Sequence, residues 1–324
     1  MSAFVWSSWE PLSPATSLPL SAAVLAETLD GGQAFRWHRQ VDGAWLGIFG
    51  DCIVRLSLDS QGVLLWSAPR ERAAKTKSAL LRYLDLSRDA RAFADLLPWR
   101  SDAHLALCLE TFPGLRILRQ PFGETLLGFL CSATKQIVQI KQMLALLAAR
   151  HGAPLADGID LNPLAGASVS NQRIGVNALH RLPTWPELAL IPEMELRGCL
   201  LGFRARYIHR TAQFLAAHPG WLEETEMLRY SIAKERLCSL AGVGEKVADC
   251  VLLFGADRLE AFPVDVWIIK TMAQRYGLDG WKPAQIARFG RTHFGPLAGL
   301  AQQYLFAYER SEKLRRKNSP AEKT

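Results

Sequence analysis

A chain of 324 residues with 49% hydrophobic and 21% charged residues can bury two or three packed units, and its composition excludes a largely disordered polymer. Its 38 Lys and Arg outnumber 31 Asp and Glu, a formal charge of +7 that suits a polyanionic partner without naming one. Six cysteines (Cys52, Cys108, Cys131, Cys199, Cys238 and Cys250) stand apart with no CxxC pair, which argues against a zinc ribbon, an iron-sulfur cluster or a disulfide framework.

From Leu20 to Arg70 apolar and polar residues alternate, with Gly and Asp punctuation at Asp42-Gly43, Gly50-Asp51 and Gln61-Gly62, which predicts an antiparallel sheet. From Ala74 onward the apolar period becomes helical, first over Lys77 to Leu86 and then over Thr125 to Arg150. Gly152 to Ser168 is rich in Gly, Pro, Asp and Asn and reads as a loop. Helical patterns follow at Asn171 to Leu182, Met194 to Leu201, Arg204 to Ala217, Trp221 to Tyr230, Ala233 to Leu240, Lys246 to Phe254, Asp265 to Tyr276, Pro283 to Phe294 and Pro296 to Glu309. The charged stretch Lys313 to Thr324 reads as a frayed basic tail. These patterns give an α+β protein: an N-terminal unit with an antiparallel sheet over 1–112, a helical region over 113–312, and the tail over 313–324. No signal peptide or membrane-length apolar stretch is visible, so a soluble intracellular monomer without a membrane partner is expected.

The segment Leu237-Cys-Ser-Leu240-Ala-Gly242-Val243-Gly244-Glu-Lys246-Val-Ala248 closes one helix, turns on two glycines around a valine, and opens another. Gly242 and Gly244 permit a tight turn whose backbone N–H groups meet the positive end of the next helix, a place for a phosphate. A bare GxG also fits a plain turn. The full pattern resembles a helix-hairpin-helix motif, whose contacts reach the DNA backbone without reading sequence.

With Phe262-Pro263-Val264-Asp265-Val266-Trp267 downstream, the text from about Gly32 to Phe306 resembles the 8-oxoguanine DNA glycosylase branch of the helix-hairpin-helix glycosylases. The resemblance implies a sheet like that of the TATA-binding protein ahead of a helical glycosylase body. It also implies a bifunctional glycosylase and lyase acting on duplex DNA that carries a damaged base, chiefly 8-oxoguanine, in the cytoplasm or nucleoid of a bacterium or the nucleus of a eukaryote. Lys246 would be the attacking amine and Asp265 its carboxylate partner, because cleavage at an anomeric carbon divides work between a nucleophile and a negative charge. An amine attacks only when neutral; burial and the positive helix end favour proton loss, and Asp265 opposes it. Lys246 could also be a plain phosphate contact, and Asp265 an ordinary helix N-cap.

By the same resemblance Gly32, in Gly32-Gln33-Ala-Phe35-Arg36-Trp37, offers its carbonyl to the N7 hydrogen that 8-oxoguanine has and guanine lacks. Cys250 and Phe306 sandwich the flipped base and Gln302 reads its Watson–Crick edge, although Cys and Phe on helices are more often core. Phe203 wedges the duplex and Arg204 contacts the orphaned base. Two departures stand out: Ala133-Thr134-Lys135-Gln136 with Gln139 stands where the animal and fungal enzymes typically have an Asn run that fills the vacated space and an Arg that reads cytosine, and Trp267 replaces a His. Thr134, Gln139 and Trp267, with Gly242, Val243 and Gly244, complete the expected DNA contacts. No cofactor is expected; a structural monovalent or divalent cation bridging hairpin and phosphate is the one ion the resemblance admits. Two rivals stay open: a monofunctional alkyl-base glycosylase that uses the Asp alone, and a non-catalytic damaged-DNA-binding protein.

Overall fold

The computed structural model describes residues 5–12, 20–155 and 179–318. The alternating N-terminal text forms five strands: β1 (Glu10–Pro11), β2 (Trp37–Arg39), β3 (Trp45–Phe49), β4 (Cys52–Leu58) and β5 (Leu64–Ser67). They pair antiparallel throughout, in the order β1-β5-β4-β3-β2. The turns are built by the expected Asx chemistry: Asp42 Oδ1 accepts the Ala44 amide at 3.0 Å, and Asp59 Oδ1 accepts the amides of Gln61 and Val63. One sheet face carries Trp37, Phe49, Val54, Leu56 and Trp66 into a core shared with α1 (Ala22–Asp30) and α2 (Ala73–Tyr83). The other face lays Leu46, Ile48 and Ile53 against Leu155 and Leu179, which is why β3 is buried at every position instead of alternating.

The helical region comprises α3 (Ala90–Asp95), α4 (Ala103–Thr111), α5 (Phe122–Leu130), α6 (Ile137–His151), α7 (Trp185–Leu190) and α8 (Glu193–Leu196). It continues with α9 (Arg204–Ala217), α10 (Trp221–Met227), α11 (Tyr230–Cys238), α12 (Glu245–Gly255), α13 (Val266–Tyr276), α14 (Pro283–Phe294) and α15 (Ala298–Asn318). Leu126, Leu237, Ala248, Leu252, Ile268 and Tyr304 meet in one core, so the helices that carry the hairpin and the Asp265 segment are fixed against each other. Among the described residues no helix is long and apolar enough to cross a membrane.

Several expectations are corrected. The helical period over Thr125 to Arg150 is two helices, interrupted at 131–136, where Thr134 adopts a φ of +56°. Met194 to Leu201 ends in a wide turn over Arg197–Leu201 that holds Leu200 at a φ of +63°. Trp221 to Tyr230 stops at Met227 before α11 starts. Helix α15 runs on to Asn318, into the segment read as a frayed tail. Leu179 to Leu182 are not helical; Asn171 to Ala178, most of the Gly152 to Ser168 loop and the last six residues lie outside the described residues.

Ties between the sheet unit and the helices fix where the Gly32 turn stands. Glu27 of α1 pairs with Arg310 of α15, and Asp30 with Lys141 of α6 at 2.9 Å. Buried Gln33 donates from Nε2 to the Arg116 carbonyl (2.9 Å) and accepts the Leu118 amide (3.0 Å), while its own carbonyl accepts from Gln120 Nε2 at 2.7 Å.

Candidate active site

The hairpin between α11 and α12 is as tight as its glycines require. Gly242 has a φ of +80°, and a Cβ there would lie 2.6 Å from Cγ of Tyr207, so the turn and its packing on α9 both need glycine. Val243 is buried as the apolar plug of the turn. Gly244 is the N-cap of α12, exposed, with open space where a Cβ would be and no side chain capping the helix, so the first N–H groups of α12 are accessible to an anion. Behind the hairpin, buried Asp249 accepts from Tyr230 Oη (2.7 Å) and Lys234 Nζ (3.0 Å), bracing α12 against α11.

Lys246, in the first turn of α12, is half-buried and points inward. Its Nζ donates to Ser132 Oγ at 3.4 Å and lies 5.1 Å from the centre of the Phe129 ring. Asp265, the N-cap of α13, lines the same cavity; its Oδ1 accepts the amides of Trp267 (3.0 Å) and Ile268 (2.9 Å). Burial raises the Asp265 carboxyl above the ordinary aspartate range, opposed by the Ile268 amide, the Lys246 charge and the Trp267 amide. Cys250 stands one turn beyond Lys246, and burial pushes its thiol up to about 11, so it is a neutral apolar wall at physiological pH and no competing nucleophile.

The cavity is open to solvent, with about 340 Å³ of empty space, its mouth included, and its wall brings together Gly32, Lys246, Cys250, Asp265, Gln302 and Phe306, residues spread from the turn after α1 to the last helix. Gly32 has a φ of +99°, and a Cβ there would touch Ile137 Cδ1 at 3.3 Å and Phe306 Cε1 at 3.7 Å, so the backbone of the Gln33 clamp lies directly against the Phe306 ring. Gln302 is only 5% exposed, and its Oε1 has no hydrogen-bond partner among the described residues. A buried acceptor without a donor costs about 1–3 kcal/mol, so this residue of the cavity wall carries an unmet hydrogen bond.

The rim differs from expectation in places. Phe203 is 51% exposed at the start of α9, as a wedge needs, and packs edge-on against Tyr207. Leu200, which the sequence did not single out, stands nearby in the wide turn, 58% exposed despite its left-handed backbone. Arg204 is not presented to the exterior. It is 2% exposed, stacks under Phe203, and its guanidinium donates to the carbonyls of Leu201 and Ala133 and to Thr134 Oγ1 (2.9 Å). Gln139 closes a capping box on Gln136 at the start of α6. Trp267 lies edge-on to Phe306 with Lys313 Nζ 4.6 Å from its ring, which makes it a flank of the cavity. Sequence reasoning also missed Phe129 and Gln303 of the cavity wall, and Ser132 beside the amine.

The family model for the 8-oxoguanine DNA glycosylase N-terminal domain matches residues 17–126. An N-glycosylase/DNA lyase of Arabidopsis thaliana, OGG1, is 30% identical over 316 residues, spanning 93% of this chain and 80% of that protein. The chain belongs to the 8-oxoguanine DNA glycosylase family. Another member, a probable N-glycosylase/DNA lyase of Methanothermobacter thermautotrophicus, is 30% identical over 90% of this chain and 95% of its own length. Among solved structures of the family, the Clostridium acetobutylicum 8-oxoguanine glycosylase/lyase, in complex with duplex DNA containing cytosine opposite 8-oxoguanine, superposes with a TM-score of 0.77. It is 31% identical, over 89% of this chain and 92% of that one.

Proposed function

We propose that this protein is a bifunctional DNA glycosylase and lyase that excises 8-oxoguanine from duplex DNA, with Lys246 as the nucleophile and Asp265 as the carboxylate beside it. The observation that carries this reading is one cavity, walled by Lys246 and Asp265 together, with an unpartnered buried acceptor on Gln302 and the Gly32 backbone against Phe306. The damaged base swings out of the duplex into the cavity between Cys250 and Phe306, while Phe203 supports the stack it leaves. The lone pair of Lys246 Nζ attacks C1′ as the C1′–N9 bond breaks and its electron pair departs with the base; the Asp265 carboxylate stabilises the positive charge that gathers on the sugar. Opening of the sugar ring gives a Schiff base on Lys246, and loss of a C2′ proton expels the 3′-phosphate by β-elimination.

The hairpin at Gly242–Gly244 holds a phosphate through main-chain N–H groups, so grip is independent of sequence. A cation joining hairpin and phosphate would be held by main-chain oxygens of the turn, which are hard donors, and would neutralise part of the phosphate charge; among the described residues no cluster of His, Cys, Asp or Glu could hold a metal. Such a protein works beside genomic DNA inside the cell, in the nucleoid or the nucleus.

Borohydride trapping tests the assignment. The wild-type protein is expected to release free 8-oxoguanine and to become covalently attached to lesion DNA, and Lys246→Gln to do neither. Trapping that survives the substitution removes Lys246 from its role. Base release without trapping gives the monofunctional reading, and lesion binding without release gives the non-catalytic one.

A further inference from the structure

We infer that Gln303 is a second base-reading amide, whose Nε2 donates a hydrogen bond to the oxygen at position 6 of the flipped purine; this deepens the lesion-pocket reading and rests on it. Gln303 is 2% exposed, lines the cavity beside Gln302, and its Nε2 has no hydrogen-bond partner among the described residues. Two adjacent residues of one helix therefore each leave a buried amide atom unmatched in one wall, an acceptor on Gln302 and a donor on Gln303. Buried polar atoms in native proteins are almost always satisfied, and each unmade bond destabilises the empty site, so such a pair on two residues that line one cavity marks groups awaiting a ligand.

The chemistry of the base says which group the donor takes. Around the ring of 8-oxoguanine, N1–H and N7–H are donors and the oxygen at position 6 lies between them as an acceptor. The Gly32 carbonyl takes N7–H and Gln302 Oε1 takes N1–H in the proposed binding mode. The edge between them then needs a donor, and Gln303 supplies one from the same wall. Of the other side-chain donors lining the cavity, Lys246 is engaged with Ser132 and stands on the side that must reach the sugar, and the Gln302 amide is committed to the N1 edge through its oxygen. A donor at Gln303 also works against 8-oxoadenine, which presents an amino group at position 6, donor against donor.

The test uses the full-length protein in single-turnover excision from duplexes carrying 8-oxoguanine or its 6-thio analogue, which keeps N1–H and N7–H and weakens only the acceptor. Wild type is expected to excise the sulfur analogue about tenfold more slowly, and Gln303→Leu to lose about ten- to a hundredfold on 8-oxoguanine and to stop distinguishing oxygen from sulfur. Strand cleavage at a preformed abasic site, which has no base to read, is expected to be unchanged in the variant. A variant that keeps the wild-type rate, or the wild-type oxygen-over-sulfur preference, overturns the inference. If Gln303→Leu also loses abasic-site cleavage, Gln303→Met, closer in length, is measured; loss there too makes the position one of packing and likewise overturns it. Wild type that neither releases base nor cleaves abasic DNA refutes the parent reading instead.

Discussion

At the scale of single residues, Asp265 serves both the fold and the proposed chemistry. Its carboxylate caps α13 through two amides, and burial makes its charge costly, so the folded protein holds it above the ordinary aspartate range. Because a raised folded value means protonation begins at higher pH, the acid limb of kcat/KM is expected to start above the usual carboxylate range and fall as pH drops through it, read from a pH–rate profile. The same sign holds for stability: an aspartate whose folded value is raised destabilises the fold once ionised. Asn caps a helix about as well as Asp. Asp265→Asn is therefore expected to abolish base release while the melting temperature, followed by circular dichroism, does not fall. That Lys246, Cys250 and Asp265 would meet at one cavity was legible beforehand, because they sit in one local sequence pattern. Ser132 was not: it is 114 positions from the amine it bonds, and no spacing within a helix announces such a pairing. Arg204 was legible as a residue and misread in direction, since nothing local shows that the 131–136 connection would fold over its guanidinium.

Among elements, the hairpin and the helix break obey different logic. The glycines of the hairpin were readable because a turn with positive φ leaves few other choices. The break at 131–136 was hidden because α5 and α6 both present apolar residues at helical spacing, and periodicity does not record that Thr134 turns left-handed between them. The open N-terminus of α12 permits a test in which stability and function move in opposite directions. Gly244→Asp adds a capping side chain where space is free, so stability is expected to hold or rise by about a few tenths of a kcal/mol, and the melting temperature not to fall. Its charge stands where a phosphate would, so affinity for duplex DNA, measured by fluorescence anisotropy, is expected to fall about tenfold. Unchanged affinity would remove the hairpin from the phosphate site.

Taken whole, the molecule assembles its cavity from both ends of the chain: the glycine turn comes from the sheet unit, the amine from the helical region and the glutamines from the last helix. The Glu27–Arg310 pair joins the first helix to the last, with Glu27 buried and its carboxyl raised by that burial. Arg310→Met leaves a buried carboxyl without its partner and is expected to destabilise the fold by roughly 1–3 kcal/mol. It is also expected to loosen the Gly32 turn against Phe306, so that preference for 8-oxoguanine over guanine falls while abasic-site cleavage persists, which competition between lesion and undamaged duplexes would reveal. The α+β order of this architecture was visible in the change of period along the chain. The burial of both sheet faces was not, because it depends on Leu155 and Leu179 arriving from elsewhere.

Two of the proposed contacts, the carbonyl at position 32 and the amides that open α12, belong to the main chain. Point mutation cannot delete an atom that every residue type carries; it can only move it. Lineages that have replaced some seven in ten of their side chains can thus keep the same questions put to DNA, provided the glycines that aim those atoms survive.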